Sequence, residues 1–159
     1  MSSSESNRVA SESFTNTNHN RDSLTPVPSR PPGPDCVHRD VTVVDTPAAD
    51  FSRERGHPVY AVKLPANNVS LSIGDLDPGA STSNHRHGYE SLIYVISGRG
   101  YTITEGQRFD WKAGDAVYVP PWCWHQHFAD PNESARYITA TNLPLLRQLG
   151  QTVVREEAR

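Results

Sequence analysis

The feature that most constrains the fold is a series of short segments, from residue 38 onward, in which apolar and polar residues alternate. Val69, Leu71 and Ile73 alternate with small or polar neighbours, which is the pattern of a half-buried strand. Similar segments lie at residues 41–44, 59–64, 92–97, 101–104, 108–111, 116–119, 125–128 and 135–140. Turn-forming clusters such as Asp77-Pro78-Gly79 separate them. Short strands at this spacing predict an all-β sandwich or barrel.

The two ends of the chain differ from this pattern. Residues 1–35 hold six hydrophobic residues and five prolines, too little apolar surface to offset the entropy of ordering, so we expect a disordered N-terminal arm. At the other end Leu143, Leu146, Leu149 and Val153 recur at helical spacing. The predicted organisation is an arm at 1–35, a single barrel at 36–145, and a short C-terminal helix frayed into a charged tail at 146–159.

Composition excludes several classes of function. The formal net charge is -3 and no cluster of Lys or Arg occurs, so we expect no nucleic-acid partner. No apolar run approaches the roughly 20 residues that cross a bilayer, and the N-terminus lacks a signal-peptide pattern, so we expect a cytoplasmic protein without a membrane partner. Cys36 and Cys123 form no close-spaced motif and are expected to be free thiols.

Four of the seven histidines fall in two i, i+2 pairs, His85-Arg86-His87 and His125-Gln126-His127. Residues two apart on a strand point to the same face, so each pair can direct both imidazoles into the same space. Imidazole nitrogen suits iron, nickel, copper and zinc. The pairs therefore predict a metal site, although an isolated His-x-His also occurs by chance with both rings exposed.

The residues around the histidines resemble the two motifs of the cupin family. Pro78-Gly79, His85, His87 and Gly98 match the first motif at its spacing. Gly114-Asp115, Pro120 and His125 match the second. The resemblance covers about residues 40–145 and implies a double-stranded β-helix, also called a jelly-roll barrel.

Two departures from the cupin motifs bear on the metal site. The glutamate of the first motif is replaced by Ser91, while Glu90 lies one residue away, where a strand would direct it to the opposite face. A bend at Gly88-Tyr89 would instead bring Glu90 back as an extra ligand. In the second motif, Trp122 stands where the family has glycine.

The sequence His-Arg-His, followed by Pro-Pro-Trp-Cys-Trp-His-Gln-His at residues 120–127, is similar to the gentisate 1,2-dioxygenase branch of cupins. That branch holds Fe(II) with three histidines and cleaves hydroxylated aromatic acids with O₂. The resemblance implies His85, His87 and His125 as ligands of Fe(II), with Zn, Ni or Mn as other candidates. It also implies a homodimer, since cupins commonly associate through the N-terminal strand region.

A metal with neutral ligands favours anionic chelators, such as ortho-substituted phenolates and enolised acids, as the small-molecule substrate. The leading hypothesis is therefore a dioxygenase that joins such an acid to O₂. A metal-dependent isomerase, decarboxylase or lyase that does not use O₂, and a binding module without turnover, remain alternatives. Nothing in the chain chooses between the metals.

Four further side chains have expected roles or positions beside the ligands. His127 should face the same interior as His125, as a proton donor and acceptor or as a packing residue. Trp122 and Trp124 either wall a substrate pocket or belong to the core. Arg86 lies between two inward residues and should point outward.

Overall fold

Ten strands in two antiparallel sheets form the framework of the part of the chain that the computed structural model describes, residues 36–43, 46–151 and 154–158. The expected arm at 1–35 lies outside these residues. The helices and strands are α1 Thr46–Arg55, β1 Val59–Ala61, β2 Ser70–Leu76, β3 His85–His87, β4 Ser91–Ser97, β5 Arg99–Thr104, β6 Gln107–Lys112, β7 Ala116–Val119, β8 His125–Ala129, β9 Ala135–Thr141, α2 Leu143–Gln148 and β10 Arg155–Glu157.

The strand order is β1-β2-β9-β4-β7 in the first sheet and β10-β3-β8-β5-β6 in the second. Consecutive strands alternate between the sheets from β2 to β5 and again from β6 to β10, as in a jelly roll, while β1–β2 and β5–β6 are pairs within one sheet. The all-β cupin fold predicted from the sequence is confirmed. Neither of the two helices described here is long and apolar enough to cross a membrane.

The hydrophobic core fills one end of the space between the sheets. It consists of Leu76, Ile93, Val95, Trp111, Val119, Ala129, Ala135 and Tyr137. Toward the other end the same strands carry polar inward side chains, such as Ser91 on β4 and His125 on β8. A cavity of about 350 Å³ opens there, so one end of the barrel holds the fold together and the other is available for chemistry.

The inward face of β2 is the opposite of the one that hydrophobicity suggests. Gly74 and Leu76 are buried, whereas Leu71 is 40% exposed and pairs in register with Ala140 on the outer surface. Alternation alone could not decide between the faces because the outer face of this sheet is also apolar. The inward position 74 is glycine because the ring of Tyr137 fills the space beside it. An added Cβ would lie 2.5 Å from that ring.

Two segments differ from their predicted secondary structure. Within the segment 41–44, predicted to be a strand, residues 41–43 form a turn closed by the Val43 amide donating to the Asp40 carbonyl at 2.8 Å. The C-terminal helix occupies Leu143–Gln148, so it begins at the first leucine of the predicted pattern and ends before Leu149 and Val153. The charged tail contributes strand β10, which pairs antiparallel with β3 and protects that edge of the second sheet.

Long-range polar contacts hold β10 in place. The Arg86 guanidinium points outward, as expected, and donates to Glu156 Oε2 from Nε at 2.8 Å and Nη2 at 2.7 Å. The rings of Trp122 and Trp124 lie over the same guanidinium, 4.3 and 4.7 Å from its central carbon. Stacking on both rings orders the guanidinium for the ion pair.

Trp122 has a left-handed backbone, with φ of 63°. Its amide donates to the His87 carbonyl at 2.7 Å, so the conformation ties the loop before β8 to the end of β3. Glycine adopts this φ without strain, whereas a residue with a Cβ is less stable there by about 1–2 kcal/mol. Stacking on Arg86 offsets part of this strain.

We predict that Trp122→Ala destabilises the protein more than Trp122→Gly. Both variants lose the stacking on Arg86, but only glycine also relieves the strained φ. The expected difference is about 1 kcal/mol in the free energy of unfolding, measured by urea denaturation. A glycine variant as unstable as the alanine variant would show that the backbone at this position is unstrained.

Candidate metal centre

Three imidazoles converge on one point of the cavity. His85 and His87 project inward from β3, and His125 projects inward from β8, where it pairs in register with His85. The ring centroids of His85 and His87 lie 4.1 and 4.7 Å from that of His125. One possible ligand atom from each residue lies within 4.8 Å of the others, and all three side chains are buried.

Backbone carbonyls orient all three rings. The Nδ1 atoms of His85, His87 and His125 lie 2.8, 2.6 and 2.8 Å from the carbonyl oxygens of Ser83, Tyr89 and Cys123. A carbonyl only accepts, so each Nδ1 carries the proton and each Nε2 keeps its lone pair. This is the arrangement by which proteins orient imidazole ligands toward a metal.

Burial keeps these imidazoles neutral. It lowers the pKa of His85 to about 2 and that of His87 to about 4, with the neighbouring His125 as the second cause in both cases. Burial also lowers the pKa of His125. Since a protonated imidazole cannot bind a metal, all three lone pairs are available at neutral pH.

No carboxylate accompanies the three histidines in the metal-ligand cluster of the described residues. Ser91, at the position where the cupin motif has glutamate, is buried and lines the cavity. Glu90, which a backbone bend would have made an extra ligand, instead accepts hydrogen bonds from Tyr118 Oη at 3.3 Å and Asn142 Nδ2 at 3.2 Å. β4 directs Ser91 inward, and the carboxylate of Glu90 lies with these two partners and outside the histidine cluster, as the one-residue shift along a strand predicts.

His127 lies beside the triad and faces the cavity, as its i+2 relation to His125 predicts. Its Nδ1 is 2.8 Å from Thr102 Oγ1, which also accepts a hydrogen bond from Trp111 Nε1 at 3.0 Å. Burial lowers the pKa of His127 to about 3, so this ring is also neutral. Its orientation is fixed by the Thr102 hydroxyl, and the triad does not include it.

The tryptophans do not form the predicted substrate pocket. Neither Trp122 nor Trp124 lines the cavity, and both rings stack on Arg86 at the outer surface. The left-handed φ of Trp122 turns the chain so that these rings lie outside, while His125 points inward. The cavity walls are instead formed by smaller apolar side chains, including Val59, Ile93 and Val119.

The cavity wall also holds the half-buried His57 and the buried Tyr137, a pair that no sequence pattern predicted. His57 Nδ1 faces the Arg55 carbonyl at 3.0 Å, so Nδ1 is protonated, and the Tyr137 hydroxyl donates to Nε2 at 2.9 Å. Burial raises the pKa of Tyr137 and lowers that of His57. No local pattern signals this pair, because the two residues are 80 positions apart.

Three arginines line the same cavity and were also missed. They are Arg55 at the end of α1, Arg147 in α2 and Arg155 in β10. The described residues that line the cavity include no aspartate, glutamate or lysine. The cavity is therefore positively charged, even though the protein as a whole has a formal charge of -3.

Comparisons with known proteins agree with this geometry. Residues 72–141 match the family described as cupin domain. A gentisate 1,2-dioxygenase from Haloferax sp is 31% identical over 116 residues, covering 70% of this chain and 32% of its own length. A 5-aminosalicylate 1,2-dioxygenase from Comamonas sp is 37% identical over 83 residues, covering 52% of this chain and 21% of its own length. The chain thus spans a third or less of these relatives.

Among solved structures, a salicylate 1,2-dioxygenase from Pseudaminobacter salicylatoxidans superposes with a TM-score of 0.63 at 18% identity. The match covers 99% of this chain and 50% of that one. The likeness establishes the shared fold. Residues 72–141 are a cupin domain, and the chain resembles the gentisate 1,2-dioxygenase branch of the cupin superfamily with a three-histidine metal site.

The donor set fits a divalent transition metal. Three neutral nitrogens on two paired strands occupy one side of an ion and leave the side toward the cavity for other ligands. The residues that would hold the ion are those implied by the resemblance, His85, His87 and His125.

We predict that His85→Ala or His125→Ala abolishes metal retention while the barrel remains folded. Each substitution removes one of three ligands, and the core at the opposite end of the barrel is untouched. Metal content after purification and far-UV circular dichroism measure the two effects. Glu90→Gln is the control and should retain the metal, because Glu90 bonds Tyr118 and Asn142 outside the cluster. Full metal content in both histidine variants would contradict the assignment.

Proposed function

We propose that this chain is a mononuclear non-haem Fe(II) dioxygenase that acts on a small hydroxylated aromatic or enolic acid. The observation that carries the proposal is the convergence of three neutral imidazoles, without a carboxylate, on a cavity lined by arginines. Its relatives named as gentisate and 5-aminosalicylate dioxygenases support the choice of reaction and substrate class, and the resemblance to the gentisate 1,2-dioxygenase branch implies iron.

When bound, Fe(II) would supply an uncompensated double charge and positions at which a chelating anion and O₂ become neighbours. The chain's own residues select the anion. The arginines attract negative charge, and Val59, Ile93 and Val119 provide apolar walls for a flat ring. A cavity of about 350 Å³ lies at the lower end of the range for small-ligand pockets, about 300–1,000 Å³, which suits a compound with one ring.

His127 is placed to exchange a proton with a substrate held at the triad. Its ring centroid is 5.5 Å from that of His125, and its Nδ1 is engaged by Thr102, which leaves Nε2 for the cavity side. When Nδ1 donates to the Thr102 hydroxyl, the Nε2 lone pair can accept a hydrogen bond from a phenol or enol and take its proton as that group becomes an anion. The Thr102 hydroxyl can accept from or donate to Nδ1, so the ring can hold its proton on either nitrogen.

We predict that the Fe(II)-loaded protein consumes O₂ when given a hydroxylated aromatic acid such as gentisate or salicylate. Dissolved O₂ is followed with an electrode across a panel of such acids, with enolic acids included. Conversion of any acid in the panel without O₂ consumption would indicate an isomerase, decarboxylase or lyase. Binding without any turnover would indicate a binding module. Either result contradicts the dioxygenase proposal.

In the same assay His127→Asn should lower kcat by about 10²- to 10⁴-fold, the usual effect of losing a general base. Asparagine retains a polar atom that can reach Thr102 but has no counterpart of Nε2. The metal content should not change, because His127 is outside the triad. A variant with unchanged kcat would assign His127 to packing.

We also propose that the chain forms a homodimer through the outer face of the first sheet. Leu92, Tyr94 and Tyr118 are 57, 51 and 52% exposed on that face, and they lie close together because Leu92 pairs in register with Tyr118. Adjoining exposed aromatic and aliphatic side chains of this kind are typical of an interface. In a dimer with two-fold symmetry, this patch on one copy would pack against the same patch on the second copy.

The dimer proposal predicts that Tyr94→Lys weakens self-association at least tenfold, as measured by sedimentation equilibrium. A lysine on this face would be buried against its own symmetry mate without a counter-ion. Phe109→Lys is the matched control, because Phe109 is 44% exposed on the other sheet. A monomeric wild-type protein, or equal effects of both substitutions, would contradict the proposal.

A further inference from the structure

The chain bends directly after β3, and the bend places Tyr89 against a member of the triad. The ring of Tyr89 is parallel to the imidazole of His87, with 3° between the two planes and 3.9 Å between the centroids. Both residues are buried and line the cavity. The Tyr89 carbonyl also accepts the hydrogen bond from His87 Nδ1 at 2.6 Å. A single residue thus contacts His87 both at the edge and on the face of its ring.

These two contacts restrain different movements of the imidazole. The torsion that turns a histidine ring about its Cβ–Cγ bond has broad energy wells, so the strand alone does not fix the plane of the ring. The hydrogen bond to the Tyr89 carbonyl fixes which nitrogen carries the proton. The stacked ring prevents the imidazole from tilting toward Tyr89. Together the contacts direct Nε2 of His87 toward the point that it shares with His85 and His125.

The ring of His87 is set apart from those of the other two ligands. The centroids of His85 and His125 are 4.1 Å apart, whereas the centroid of His87 lies 5.7 and 4.7 Å from theirs. Of the ring contacts in the described part of the chain, the one with Tyr89 is the one in which a ring lies parallel on a member of the triad. The stack therefore supports the ligand that its fellow histidines support least.

The stack is also stronger when an ion is bound. An imidazole that shares its Nε2 lone pair with a divalent cation carries part of the positive charge. The face of a tyrosine ring is electron-rich and attracts positive charge at this distance. The stack thus favours the metal-bound state over the empty one, so it contributes to metal affinity as well as to folding.

We propose that Tyr89 is a positioning residue of the metal centre, which acts by stacking its ring on His87. The bend that would have brought Glu90 to the metal instead brings an aromatic ring to one of the ligands. The proposal rests on the triad and applies to any divalent ion that the triad holds. It does not depend on iron, on O₂ or on the substrate, so it can be tested apart from the proposed reaction.

The test measures the affinity of the protein for Zn(II), by competition with a chelator of known affinity. Tyr89→Leu removes the ring and keeps the backbone carbonyl, so it isolates the stack. It should weaken Zn(II) binding by about ten- to hundredfold, the usual effect of losing a group that orients a metal ligand. Tyr89→Phe keeps both contacts with His87 and should bind Zn(II) nearly as well as the wild-type protein does.

Two spectra separate positioning from packing. The visible absorption bands of the Co(II)-loaded protein report the geometry of the ligands, so Tyr89→Leu should shift these bands and Tyr89→Phe should not. In the wild-type protein, Zn(II) should perturb the near-ultraviolet absorption of tyrosine, and Tyr89→Phe should remove that perturbation. The second spectrum decides the matter if Tyr89→Leu does not fold, because a wild-type protein without the perturbation would contradict the stack's link to the metal.

Tyr101→Leu is the matched control. The ring of Tyr101 stacks on that of Phe128, with 10° between the planes and 4.6 Å between the centroids, and Tyr101 does not line the cavity of the triad. This substitution should lower the free energy of unfolding and leave the Zn(II) affinity unchanged. If it weakens Zn(II) binding as much as Tyr89→Leu does, the effect is a general loss of stability and the proposal fails.

Wild-type affinity in Tyr89→Leu would show that the ring only packs, and would overturn the proposal. A Tyr89→Phe variant as weak as Tyr89→Leu would assign the effect to the hydroxyl and overturn it as well. A wild-type protein that binds neither Zn(II) nor Co(II) would overturn both this proposal and the metal centre. Oxygen uptake is measured separately on the Fe(II)-loaded protein. If no acid drives uptake but Zn(II) affinity depends on the ring of Tyr89, the positioning role stands and the proposed reaction fails.

Discussion

The site depends on three hydrogen bonds between imidazole Nδ1 atoms and backbone carbonyls. They fix the tautomer of each ring, and the antiparallel pairing of His85 with His125 brings the rings of the two strands together. Because the acceptors are backbone atoms of Ser83, Tyr89 and Cys123, the orientation is a property of the loops that flank the strands. The fold itself thus sets the direction in which each ring presents its Nε2 atom.

The sequence was sufficient to predict most of the fold and the convergence of His85, His87 and His125. The alternating pattern predicted the strands, and the i, i+2 pairs predicted which histidines share a face, because both depend only on the local geometry of a strand. The replacement of the motif glutamate by Ser91 also predicted a site without a carboxylate. These features involve neighbours in sequence or motifs of fixed spacing.

What the sequence did not reveal depends on contacts between distant segments. Arg155 and Glu156 looked like a frayed tail because their partners, His87 and Arg86, lie about 70 residues away in the chain. The tryptophans looked like pocket walls because nothing local shows that the backbone at Trp122 is left-handed. Leu71 looked inward because both surfaces of the first sheet carry apolar side chains, so alternation alone could not distinguish them.

The neutral all-nitrogen donor set has a consequence for how the protein acquires its metal. Such ligands bind divalent copper, nickel and zinc more tightly than divalent iron, following the general affinity order of the first-row metals. The ring orientations described above do nothing to reverse that order, since they present the same lone pairs to every ion. Loading with the proposed iron would thus depend on which metals the surroundings make available, because the ligands themselves favour its competitors.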